Sequence, residues 1–273
     1  MSVSSRLVHA FENALVLPFT HRSRYVLMSD CHRGVGTASD NFLKNRHLYY
    51  AALEHYYKNG FTYIELGDGD ELWENRSMKN IIEVHEDVFE MFTKFSSQGR
   101  LYLIYGNHDM VKKKKSRCPA FPFYEGIILC PPNMPQRALY LTHGHQASLL
   151  NSTFWRAACF LVRYIWSPLE NVGVLDPTSA AKNYHVKNNC ETRLKDWAGE
   201  NKHILITGHT HRPVMPEEPA YYYNTGSCVH PRCITCIEIE RGAMTLVKWY
   251  TSVRADHSLY VAREEIGGPV SVL

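Results

Sequence analysis

FTYIELGDGDELWENR, residues 61–76, joins two kinds of chain. Its first six positions are rich in apolar and aromatic groups, the pattern of a short strand buried on both faces. From Glu65 to Glu74 the chain then gathers five carboxylates, Glu65, Asp68, Asp70, Glu71 and Glu74, around Gly67 and Gly69. Such a cluster repels itself unless something positive sits within it. A buried strand that runs into an acidic, glycine-containing loop is the unit from which the rest of the chain is read.

The same unit recurs. RYVLMSD (24–30) runs into SDCHRG, LYLIY (101–105) into GNHD, ALYLT (138–142) into HGH and HILIT (203–207) into GHTH. Helical spacing of apolar groups predicts helices over 40–59 and 78–97, closed by Gly60 and Gly99, so the first half reads as an α/β layered fold. In open α/β folds ligands bind beyond the carboxyl ends of the strands, so these clusters are expected to converge on one site. Their Asp, Asn and His content is the oxygen and imidazole mixture that holds divalent transition metals. The tail changes character. YYYNTGS, CITCIEI and AMTLVKWY read as consecutive strands, the latter pair joined around Arg241 and Gly242. Between HGH and HILIT, two helical stretches read as an insertion, residues 146–200, over one edge of the sheet and a candidate lid. The expected organisation is a single domain over 1–273 containing it.

Bulk properties agree with a globular enzyme of 273 residues: 45% of them are hydrophobic and 21% charged, enough for a real core. The net charge of +3 is too small to argue for nucleic acid and suits an anionic substrate. Histidine, with 15 copies, is the excess that points to a metal. The N-terminal residues lack the apolar run of a secretory signal, and AACFLVRYIW (157–166) is too short to span a bilayer. Eight cysteines without framework spacing read as reduced thiols and a cytoplasmic location. Cys233 and Cys236 form a lone CxxC in a β-branched run, which reads as strand, because a zinc ribbon needs a second pair.

The order D-x-H, GD-x-x-E, GNHD, HGH, GHTH, from Asp30 to His211, resembles the calcineurin-like metallophosphoesterase family. The resemblance implies a four-layer α-β-β-α sandwich of two mixed sheets with a helical insertion. It also implies two divalent metal ions, with Mn²⁺ the first choice for mixed N/O ligands and Fe or Zn as substitutes. Carried over position by position, Asp30, His32 and His211 hold one metal, Asn107, His143 and His209 the other, and Asp68 bridges them. The family reaction is hydrolysis of a phosphoester or pyrophosphate bond by a metal-bridging hydroxide, the cations standing about 3.5–4 Å apart. His108 then stabilises the transition state and protonates the leaving oxygen, Asp109 orients its ring, and Glu71 takes the acidic position behind the metals.

Glu71, Leu72 and Trp73 follow the GD-x-x-(D/E)-x-W pattern of the UDP-diacylglucosamine diphosphatases, which also carry a helical insertion here. Asp70 departs from it, either tuning the metals or facing solvent. Glu65 and Glu74 read as structural. Arg33 is placed to meet a phosphate. Lys112–Lys115 read as a solvated loop or a cationic rim to the cleft. Arg156 and Arg163, with Phe154, Trp155, Phe160 and Trp166 between them, read as packing rather than a ligand groove. Asn224, Gly226 and Ser227 are expected to shape the site. The missing Arg-Gly pair after GD-x-x-E disfavours the protein serine/threonine phosphatases. The expected partner is a phosphorylated small molecule or nucleotide-type substrate, with no clear nucleic-acid partner. A catalytically silent metal-binding regulatory protein or scaffold of the same fold, and a metal-dependent nuclease, remain as alternatives.

Overall fold

The computed structural model describes residues 2–37, 40–113, 121–166 and 184–273, the side chain of Trp166 excepted. Among them, twelve strands form two sheets. The larger contains the parallel strands β2 (Arg24–Met28), β3 (Thr62–Leu66), β4 (Leu101–Ile104) and β5 (Phe123–Tyr124). It continues through β10 (Cys233–Glu240), β11 (Ala243–Val253) and β12 (Leu259–Ser271), all antiparallel, in the order β12-β11-β10-β2-β3-β4-β5. The smaller sheet runs β1-β6-β7-β8-β9, from Leu15–Pro18, Gly126–Cys130, Leu139–Thr142, Ile204–Thr207 and Tyr222–Asn224.

Side chains explain why the strands stack this way. Alternate residues of β2 enter two different cores: Val26 and Met28 face helices, whereas Tyr25 and Leu27 face the other sheet. β3 divides likewise, Tyr63 to the helices and Ile64 and Leu66 to the sheet interface. A strand with two buried faces has no room for polar alternation, which is why these segments read as continuous apolar runs. The outer core of the larger sheet is closed by α2 (Arg46–Lys58) and α4 (Glu86–Ser97), through Leu48, Tyr49, Leu53, Phe92 and Phe95. The smaller sheet is covered by α1 (Val3–Glu12) and α7 (Tyr184–Asn201), through Leu7, Leu194 and Trp197. The layers are thus helix, sheet, sheet, helix, as expected.

Two helices depart from the expected bounds. The one predicted from residue 40 becomes regular only at Arg46. The Asn45 amide donates to the carbonyls of Cys228, His230 and Cys233, which pins that residue outside the helix. The one predicted over 78–97 is two, α3 (Met78–Val84) and α4, broken at His85. There the buried imidazole lies 3.2 Å from Asp40 and the backbone leaves the helical region. Cys233 and Cys236 stand in β10 as read, one half-buried and one buried. Between β7 and β8 the chain forms α5 (Leu149–Ser152), α6 (Trp155–Leu161), a π-helical turn (Val162–Trp166) and α7. No described helix is long and apolar enough to cross a membrane.

Candidate metal centre

Every expected ligand follows directly on a strand. Asp30 and His32 lie beyond β2, Asp68 beyond β3, Asn107 beyond β4, His143 beyond β7, and His209 and His211 beyond β8. Five of these seven, Asp30, His32, Asp68, His209 and His211, hold the left-handed backbone conformation with φ between 49° and 68°. For non-glycine residues that costs roughly 1–3 kcal/mol each, a strain that concentrates where side chains must be aimed. The interleaved glycines serve a different need. A Cβ at Gly106 would fall on the Asp68 carboxylate, and one at Gly208 on Ser29 and Asp30.

The loops bring two groups of donors together. Asp30, His32 and His211 form one, Asp68, His143 and His209 the other, each with its donor atoms within 4.8 Å of one another. Asp30 Oδ1 lies 3.1 Å from His211 Nε2, while Oδ2 accepts the His209 N–H at 2.9 Å and the Ser29 hydroxyl. Asp68 Oδ2 is 3.1 Å from His143 Nε2 and 3.9 Å from His32 Nε2, so one carboxylate faces both groups. His143 Nδ1 donates to the Leu66 carbonyl at 2.8 Å, which fixes the ring and aims Nε2 at Asp68. Asn224 Nδ2 donates to the Gly208 carbonyl at 2.7 Å, which braces the loop that carries His209, and the Ser29 hydroxyl oxygen lies 3.2 Å from the Gly226 carbonyl.

The decisive test of fit is hydrogen bonding. Asp30 Oδ1, His32 Nε2, Asn107 Oδ1 and His143 Nε2 are buried and have no hydrogen-bond partner. Buried polar atoms are ordinarily satisfied, and three of these meet around Asp68: His32 Nε2 lies 3.9 Å from both Asp30 Oδ1 and Asp68 Oδ2, and His143 Nε2 3.1 Å from Asp68 Oδ2, a set that a cation would satisfy. The electrostatics agree. Burial alone would raise the Asp68 carboxyl, but the imidazoles of His143 and His108 outweigh it and hold Asp68 well below the usual range. For His143 burial also opposes the charge, yet Asp68 and Asp30 lift it to about 9. His209, pushed down to about 3 by burial and then by His143, stays a bare base. The carboxylates draw positive charge to the centre, as protons on His143 or as a cation that displaces them.

Beside this centre His32, Glu71 and His108 form a third group. The Glu71 carboxylate lies 2.8 Å from His32 Nδ1 and 2.8 Å from His108 Nδ1, tying both rings. Trp73 stacks on the His108 ring, centroids 4.1 Å apart and planes 22° from parallel. The ring of His108 is therefore oriented by Glu71 and not, as expected, by Asp109. Asp109 instead accepts from the Gly106 N–H and from Lys112, each at 2.6 Å.

Three other expectations need correction. Arg33 does not face a phosphate: it is 1% exposed, with its guanidinium on Glu65 at 2.7 Å and Asp70 at 2.6 Å. Asp70 neither tunes metals nor faces solvent, because Arg33 and Lys112 enclose it. Lys112 is buried between Asp70 and Asp109 and belongs to neither a solvated loop nor a rim, while Lys113 is exposed. Lys114 and Lys115 lie outside the described residues. Glu65 reads as a structural part of its strand, but nothing along the chain pairs Arg33 with Glu65 and Asp70, or Lys112 with Asp70.

A groove of 650 Å³ lies beside the centre, lined by His145 and by Tyr105, Lys113, Trp155 and Arg156 among others. The imidazole of His145 is centred 5.5 Å from that of His143. Arg156 and Trp155 line this groove, and Trp155 also packs against the Trp73 cluster, as expected. Phe154 and Phe160, 55% and 58% exposed, pack little, whereas Arg163 is anchored inward on the carbonyls of Leu72 and Trp73.

The family model for the calcineurin-like phosphoesterase superfamily domain matches residues 24–240. No curated protein matches the chain. Among solved structures, the crystal structure of Chaetomium thermophilum Vps29 is similar at 10% identity with a TM-score of 0.41, covering 89% of this chain and 96% of that one.

Proposed function

The chain belongs to the calcineurin-like phosphoesterase superfamily, and from that premise we propose that it hydrolyses a phosphoester or pyrophosphate bond at a centre of two divalent cations. The observation that carries the reading is the set of orphaned, buried donor atoms of Asp30, His32 and His143 around Asp68, with Asn107 Oδ1 orphaned on the loop that His108 N–H ties to Asp68. Asp30, His32 and His211 would hold one cation, Asn107, His143 and His209 the other, with Asp68 shared. Bound there, the cations would supply Lewis acidity and lower the pKa of a bound water, and Mn²⁺ suits this donor set, with Fe or Zn as substitutes.

The chain's own residues do the rest. Burial opposes charge on His108, but Glu71, which accepts from Nδ1, and Asp68 raise the imidazole, so the ring can hold a second proton at Nε2 for a departing oxygen. Glu71 also orients His32, coupling the proton donor to a metal ligand through one carboxylate. Lys113 and Arg156, lining the groove, draw in an anionic substrate, a phosphorylated small molecule or nucleotide-type ester. The reading takes residues 1–273 as one domain with 146–200 inserted. Unpaired thiols throughout the described residues favour a cytoplasmic setting.

The test is hydrolysis by purified protein reconstituted with Mn²⁺, using p-nitrophenyl phosphate, bis-p-nitrophenyl phosphate and a nucleoside-diphosphate sugar. Metal-dependent turnover that disappears in Asp68→Asn is expected. Binding of both cations without turnover of any of the three would favour a silent, metal-binding member of the family instead.

A further inference from the structure

Trp73 and the helical segment between β7 and β8 meet at one point, and that point touches His108. Trp73 is buried, and its ring packs against Ala158 and Cys159 of α6 on one side and the His108 imidazole on the other. The backbone that presents it is latched from the same segment. Arg163 Nε donates to the Trp73 carbonyl at 2.6 Å and Arg163 Nη2 to the Leu72 carbonyl at 2.9 Å. A second tie joins Arg76 to the Tyr164 hydroxyl. On the other flank, the Trp73 N–H donates to Glu71, the residue that grips His108 Nδ1. Stacking and this hydrogen bond together leave the imidazole one orientation.

We propose that this helical segment is a positioning device: Arg163 fixes Trp73, and Trp73 holds the His108 ring where Nε2 can deliver its proton to the leaving oxygen. The inference rests on the hydrolase reading above and assigns the segment a part in the chemistry besides covering substrate. In the step concerned, phosphorus gains a hydroxyl oxygen from water, whose other proton is released to solvent, and the P–O bond to the leaving group breaks. The bonding pair stays on the leaving oxygen, which takes the Nε2 proton, and the imidazole keeps its other proton on Nδ1 against Glu71. Trp73 and Arg163 touch neither substrate nor cation; they act through His108. Aligning a proton donor contributes typically 10²–10⁴-fold to such a step, and only when the leaving oxygen needs the proton.

That dependence gives the test. Phenyl phosphate has a basic leaving oxygen that requires protonation, whereas p-nitrophenyl phosphate releases an oxygen that departs without it. With the Mn²⁺-loaded full chain, Trp73→Ala is expected to lower kcat on phenyl phosphate roughly 10²-fold and on p-nitrophenyl phosphate less than about tenfold. KM and the number of bound cations should stay as in the parent. Trp73→Phe, which keeps a stacking ring, should restore most of the phenyl phosphate rate. Arg163→Ala frees the latch while leaving the indole in place and should show the same selective loss, which covers the case in which Trp73→Ala does not fold. Equal losses on the two esters in the variants would overturn the inference and leave the hydrolase reading intact. A parent protein that binds its cations and turns over neither ester would overturn both.

Discussion

Single residues show how charge in one loop is divided between two duties. Of the carboxylates in 65–74, Asp68 faces the two donor groups and Glu71 ties two imidazoles, while Glu65 and Asp70 are consumed by Arg33. The clusters that carry the candidate ligands were legible along the chain because each follows a strand. The partners of Arg33 were not, since Glu65 lies 32 positions away and only the parallel pairing of β2 with β3 brings it near. Breaking a buried pair by removing one side strands the other charge and costs about 3–5 kcal/mol. Arg33→Met should therefore lower the unfolding free energy obtained by urea titration by that much and leave KM untouched, and a change in KM without loss of stability would refute the structural role. Asp70 adds a pH signature. Burial opposes its ionisation, but Arg33 and Lys112 outweigh this and hold it at about 2. A depressed carboxyl stabilises the fold above its unfolded value near 4 and loses that contribution as pH falls toward 2. The stability gap between the parent and Asp70→Asn should be constant above about pH 5 and shrink below about pH 4.

Elements show which signals survive folding. The strands were legible because burial on both faces leaves uninterrupted apolar runs, as in β2, β3 and β8. α1, β1 and β12 were not: Leu15–Pro18 is defined only by its pairing with Ile127–Cys130, and Gly267, Gly268 and Pro269 interrupt the pattern of β12. The split at His85 was hidden too, since the apolar spacing of 78–97 continues through it and the cause, Asp40, stands 45 positions upstream. The link between β4 and its loop is the most exacting. Gly106→Ala places a methyl group on the Asp68 carboxylate, so it should reduce the cations bound per chain while the far-ultraviolet spectrum stays native. Full metal occupancy in that variant, read by equilibrium dialysis, would show that the loop yields.

The whole molecule is two sheets that share a seam, and the candidate centre lies across it. Asp30, Asp68 and Asn107 come from loops of the seven-stranded sheet, and His143, His209 and His211 from loops of the five-stranded one. That alternating strands and helices build layers was readable from the sequence; the division into two sheets followed from the family resemblance and not from any pattern in the residues. Cations held by ligands from both sheets bind the folded state alone, and at a hundredfold excess over Kd each stabilises it by about 2.7 kcal/mol. Saturating Mn²⁺ should raise Tm by roughly 5–10 °C in a chain of this size, and EDTA should reverse the rise. A Tm indifferent to metal would mean that the seam is closed without it.

The left-handed backbone at Asp30, His32, Asp68, His209 and His211 also limits how this protein can change over generations. Glycine and asparagine accept that conformation readily, and branched side chains do not. A lineage that abandons its chemistry would therefore replace these residues along a narrow route, toward Asn or Gly, keeping the loops' shape long after their purpose is gone. The scaffold would remember the site as a set of odd turns at the ends of its strands.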